Sequence, residues 1–275
     1  MGSSAWFCAA GDCRPATVEG RPHIPEFAAN GSSRFIAEVG GRIRSLIPRE
    51  IVGGPEVQIA MRVHTRLLSR YEGIGMLLGV DLADDAYALV RGLMADSQKL
   101  QVLASNPDMA LGRAFGWMAV ATADLEARAR VARRFGDDDL ARLIDDSAAT
   151  QRLINERLAV DLGISPARFP REGEPLASLA GHPEDVFDHT FASDSAHSVL
   201  VAAVWHDHAD AAGNVRIGAN LAPWTLRVAT RATRHMLRAS TATAQICQFD
   251  SAAALQDYVD EVEGQLDARS LPVAD

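Results

Sequence analysis

Beyond residue 33, apolar residues recur every three or four positions over most of the chain, and glycine, proline or acids fill the intervals. That spacing gathers apolar side chains on one side of a helix. In 55–80, Ile59, Val63, Leu67 and Ile74 form one stripe behind Pro55, whose fixed φ and missing N–H suit a first helical turn. The same pattern predicts helices over 33–47, 84–105, 108–135, 137–162, 183–210, 224–247 and 251–268. Asn106-Pro107 divides the third from the fourth, while Gly136 and Gly163 stand where a helix would stop. Residues 163–182 carry three prolines and read as the long interior loop, and 211–223 read as a turn or small hairpin. No repeat of about 20–50 residues is visible. The expected fold class is all-α, a single-domain multi-helix bundle over 34–270. A Gly-, Ser- and Pro-rich flexible N-terminal leader, 1–33, precedes it.

Composition narrows this picture. With 275 residues, 48% of them hydrophobic, the chain can bury a sizeable core. No apolar run approaches the roughly 20 residues of a membrane helix. The opening "MGSSAWFCAAGDC" lacks the basic start and apolar stretch of a secretory signal, so a cytoplasmic location and no membrane partner are expected. A net charge of −9 disfavours a surface that wraps nucleic acid. Lys99 is the only lysine; with abundant alanine, this suggests a bacterium with a GC-rich genome. Cys8, Cys13 and Cys247 match no zinc spacing.

Candidate chemistry concentrates in "DHTFASDSAHSVLVAAVWHDHAD", 188–210, which holds four of the eight histidines. Residues four apart on a helix drift by only about 40°, so His189, Ser193 and His197 share a stripe, and Asp194 lies three before His197. His189, Asp194 and His197 are thus a candidate set for a divalent metal, the one cofactor the sequence suggests. A di-iron bundle would need a second acid-x-x-His, which is absent. The weightier reading is a buried His197 that, with Ser193, faces the 84–105 helix near Arg91 and hydrogen-bonds there. Arg227, Arg231, Arg234 and Arg238 follow i, i+4, i+7, i+11 on one helix face, and Arg62, Arg66 and Arg70 form a second row. A solvated face paired with neighbouring acids weighs more than an anion, phosphate or RNA surface, although guanidinium forks suit phosphate oxygens. The acids of "DLADD" and "DDDLARLIDD" fall at helix starts, where the dipole accounts for them. The arginine-to-histidine spacing of small helical ribonuclease toxins is missing; Arg231 and His235 come nearest. No Gly-rich phosphate loop, nucleophile elbow or Cys–His pairing is present.

Two stretches carry a family likeness. "RVHTRLLSRYEGIGMLLGVDLADDAYALVRGLMADSQKLQVL" pairs two apolar helices, the second reading Arg-x-Leu-Met-x-Asp-Ser, and "FDHTFASDSAHS" supplies Ser193-x-x-x-His197. Over about residues 58–245 the chain resembles the helical bacterial proteins grouped as domain of unknown function 5677. The resemblance implies a helical fold and no particular reaction. It puts Arg91 in the first motif and Ser193 and His197 in the second. Ala95 stands where the family pattern has a glutamate, with Asp96 adjacent, and His189 where a tyrosine is common. Arg91, Asp96, Ser193 and His197 are therefore the candidate catalytic residues. Two functions follow as expectations: a bundle that binds a small molecule or protein partner, or a hydrolase or nuclease using these residues with or without metal. The alanine-rich 108–135 helix, which lets helices approach closely, is expected to pair with a second copy in a homodimer.

Overall fold

The computed structural model describes residues 31–171, 174–183, 185–186, 189, 207–209, 215–217 and 221–268. Its helices are α1 (Ser32–Leu46), α2 (Pro55–Leu78), α3 (Ala83–Ala104), α4 (Pro107–Arg134), α5 (Asp138–Asp161), α6 (Glu174–Leu179), α7 (Leu221–Cys247) and α8 (Ala252–Ala268). Strands β1 (Asp207–Ala209) and β2 (Val215–Ile217) form an antiparallel ribbon with His208 opposite Arg216. The architecture is the expected all-α bundle.

Helix boundaries follow the punctuation of the sequence. Pro55 and Pro107 open α2 and α4, and the Asn106 side chain accepts a hydrogen bond from Asp108 N at 3.1 Å. Asp137 caps α5 in the same way, accepting from Leu140 N at 3.0 Å. At the end of α4, Gly136 takes φ 78°, its N–H donates to Arg133 O, and Asp137 N–H donates to Ala132 O. This is a Schellman stop, and Gly163 repeats it after α5.

Two expectations need correction. The predicted helix over 183–210 cannot run to its end, because 207–209 is strand. The β-branched Val215 and Ile217, preceded by Gly213-Asn214, make a hairpin partner that outcompetes helix there. The interior loop contains α6, where Pro175 sits in the first turn and Leu176 and Ala177 are buried.

Helices α2, α3 and α7 pack against one another at the centre, with α1 and α8 laid over α2 and α7. Tyr71, Tyr87, Leu67, Ile74, Leu93 and Leu100 are fully buried there, with Phe35, Ile36 and Ile43 of α1. The α4–α5 hairpin stands apart: α5 packs principally on α4. Residues 165–169 return along α4, Ala167 N–H donating to Gly112 O at 2.9 Å. A side chain at Gly116 would place its Cβ 1.9 Å from Ala167 O, so only glycine admits this approach. Of the α4 alanines, Ala110, Ala114, Ala129 and Ala132 are buried within the chain, whereas Ala119, Ala121 and Ala123 are exposed.

Candidate functional site

Helix α3 carries polar residues through the core on two sides. Each residue advances about 100°, so Asp96 points to one side while Gln98 and Arg91 share another, about 140–160° away. The apolar residues between them hold α3 in the bundle, and the polar ones must find partners because an unpaired buried group costs about 1–3 kcal/mol.

On the first side, Asp96 is almost fully buried and takes two arginines of α2. Arg66 Nη2 donates to Oδ1 at 2.7 Å and Arg70 Nη1 to Oδ2 at 2.5 Å. Arg70 Nη1 also donates to Gly92 O at 2.8 Å. Lys99 Nζ lies 3.8 Å from Oδ1 and 5.4 Å from the Trp117 ring centre, and Trp117 stacks on Phe169. The carboxylate side chain is 4% exposed, whereas Arg66 and Arg70 remain 51% and 34% exposed. The carboxylate is inside, and both arginine side chains reach the surface. Arg62, one turn before Arg66, is exposed.

On the second side lies a buried cluster that sequence reasoning missed. Asp185 is fully buried and accepts from Arg238 Nη1 at 3.3 and 3.1 Å and from Gln98 Nε2 at 3.4 Å. His235 Nδ1 lies 3.9 Å from the same carboxylate. Ser97 Oγ donates to His235 O at 2.8 Å, and Gln101 Nε2 donates to Ser97 Oγ at 3.2 Å. Asp185 sits just before the histidine-rich stretch and has no pattern of its own. Its two polar neighbours on α7 could have been paired with it only in three dimensions.

A third polar link ties α2 to α7. Ser240 Oγ donates to Met236 O at 2.8 Å, so its proton is committed and His64 Nε2, 3.1 Å away, is the donor to Ser240 Oγ. Burial pushes the His64 pKa down to about 4, which keeps the ring neutral. Tyr71 Oη and Thr233 Oγ1 pair at 2.8 Å, and burial holds this phenol well above its ordinary range. Cys247 is a free thiol whose pKa burial, then Glu56, pushes up to about 11, away from nucleophilic use.

Of the predicted catalytic residues, Arg91 and Asp96 lie on different sides of α3. Arg91 is half-buried on the Gln98 side of α3 and makes no hydrogen bond or ion pair with Asp96. Ser193, Asp194 and His197 lie outside the described residues; His189 is half-buried. Among the described residues no three His, Cys, Asp or Glu side chains are grouped to hold a metal. Of the α7 arginines, Arg238 serves Asp185 and Arg234 bonds Asp267 of α8 at 2.5 Å, while Arg227 is exposed and Arg231 half-buried. No helix among the described residues is long and apolar enough to cross a membrane. A cavity of about 500 Å³ lies between α4 and α5, walled by Phe115, Ala119 and Pro166, with Asn155 Nδ2 buried beside it and unbonded. No family model matches the chain, and no curated protein and no solved structure shows significant similarity to it.

Proposed function

We propose that the bundle is a binding module whose α2–α3 face receives a phosphate or carboxylate group at Arg66 and Arg70. The carrying observation is that two arginines share one nearly buried carboxylate while their side chains remain 51% and 34% exposed. One carboxylate against two cations leaves the pair net positive on a chain of net charge −9. Asp96 then acts as a positioning residue. It holds both forks in place, so less rotamer freedom is lost when an anion arrives. Arg62 and Lys99 extend the positive strip, and Trp117 lends it one aromatic wall.

The test is thermal unfolding of the full chain with millimolar inorganic phosphate, pyrophosphate or citrate. Binding to the folded state raises stability by about 2.7 kcal/mol at 100 Kd, enough for a shift of several degrees. At least one anion should give that shift, and Arg66→Gln should remove it without altering the helical circular dichroism. No shift with any of the three, or an undiminished shift in Arg66→Gln, would sink the reading.

A hydrolase or nuclease is the second reading, favoured by the Asp185 carboxylate beside His235. A carboxylate can orient an imidazole for proton transfer. Both side chains are sealed in the core, 0% and 1% exposed, which places this reading behind the first. Hydrolysis of a generic phosphodiester or ester that disappears in Asp185→Asn would reverse the order.

A further inference from the structure

Helix α5 leaves a row of large apolar side chains in solvent. Leu140, Leu143, Ile154, Leu158 and Leu162, the last being its C-cap residue, are 37–65% exposed, and Phe135, just before the helix, is 85% exposed. On a helix advancing about 100° per residue, Leu140, Leu143, Ile144, Ser147, Gln151, Ile154 and Leu158 fall within a stripe about 100° wide. Its centre lies roughly 110° from the face carrying Ala141, Ala148 and Ala159, which is buried against α4. A helix in a four-helix bundle presents two faces at about this angle, one to each neighbour. The hairpin supplies only one neighbour.

The order of the residues identifies the other. The row reads nearly the same from either end about position 149: Leu140 mirrors Leu158, Ile144 mirrors Ile154, Ser147 mirrors Gln151, and Phe135 falls beside Leu162. A two-fold interface demands this self-complementarity, since each residue must meet the mirror position of the other copy. We propose that α5 is the docking surface for a second copy of the chain, the two α5 helices running antiparallel about an axis near Ala149. In that register Leu140 of each copy packs on Leu158 of the other, and Leu143 and Ile144 on Ile154. Asp139 comes within two positions of the mirror of Arg157 along the same flank of the seam, near enough for an opposite-charge match formed twice. The size agrees as well. Twenty-four residues extend about 36 Å, so the α5 strip alone gives on the order of 400 Å², and the exposed side of α4 beside it brings the face toward the roughly 800 Å² each partner gives to a stable interface. This dimer uses α5 where the alanines of α4 had been expected to serve.

Light scattering on the eluting full-length protein at tens of micromolar decides the matter. Wild type should show twice the 29.5 kDa chain mass. Leu143→Glu with Ile154→Glu should reduce it to the mass of one chain while preserving helical circular dichroism, because both positions are solvent-facing in the single chain. Leu153→Glu, equally exposed but outside the stripe, should leave the dimer intact. Should the double glutamate variant aggregate, Leu143→Ser alone should weaken the dimer at least tenfold. A monomeric wild type overturns the proposal, as does a dimer indifferent to both stripe variants. A monomer that dimerises only after removal of residues 1–30 also overturns it, since the leader would then be the occupant.

Discussion

His64 sits in the core with a single committed role, donating Nε2–H to Ser240. Its folded pKa is about 4 against an ordinary 6.5, so the unfolded chain binds a proton more readily between those values. The stability it contributes is complete above pH 6.5 and is lost as pH falls toward 4. At 1.36 kcal/mol per unit, the loss approaches about 3 kcal/mol as an upper bound. Urea unfolding of wild type and His64→Gln at pH 7, 5.5 and 4.5 should show the two stabilities converging as pH falls. Glutamine keeps a donor for Ser240 but cannot be protonated in this range. A constant difference would mean that His64 is not responsible for that slope. The residue scale is also where sequence reading ended. The row of Arg62, Arg66 and Arg70 is expected from sequence to pair with neighbouring acids, and Arg66 and Arg70 do. Nothing local names Asp96, 30 and 26 residues away on another helix, as the acid they meet. Asp185 escaped notice for the same reason, its partners being 87 and 53 residues distant.

At the scale of elements the sequence was far more legible, because helix ends are decided by local chemistry. Asn106-Pro107, Asp137, Gly136 and Gly163 act within a few residues of themselves, and each stands at the helix end or start it marks. Where two local preferences competed, as at 207–209, pairing with Val215–Ile217 prevailed over helical periodicity. Tertiary demands on an element stayed hidden. Nothing local distinguishes Gly116 from any other glycine in a helix, where replacement by alanine ordinarily stabilises by up to about 1 kcal/mol. Here the added methyl would collide with the Ala167 carbonyl, a backbone atom that cannot rotate away. Gly116→Ala should therefore destabilise by roughly 1–3 kcal/mol, the usual overpacking penalty. Gly41→Ala, with open space around its Cβ, should be neutral or mildly stabilising. Chemical denaturation of both variants measures the contrast; equal effects would refute the close packing of 165–169 on α4.

The whole molecule divides into a dense centre and an arm. The centre buries Tyr71, Tyr87, Phe35 and their neighbours among five helices. Beyond Thr122, the arm buries only alanines of α4 and α5, namely Ala129, Ala132, Ala141, Ala148 and Ala159. Its main crosslinks are two exposed ion pairs, Arg133–Asp145 and Arg152–Glu126. Surface pairs contribute about 0–1 kcal/mol each, and an alanine seam offers little apolar area. Such an arm should open locally well before the global transition. Amide hydrogen exchange should thus be fast in 123–155 and slow in α2, α3 and α7. The proposed α5 seam adds a second expectation. Pairing closes the arm by mass action, so protection in 123–155 should rise with protein concentration while that of the centre stays fixed. Exchange rates in the arm that equal those of α3 at low micromolar protein would mean that the hairpin holds itself together, and its exposed leucines would then need no partner for order.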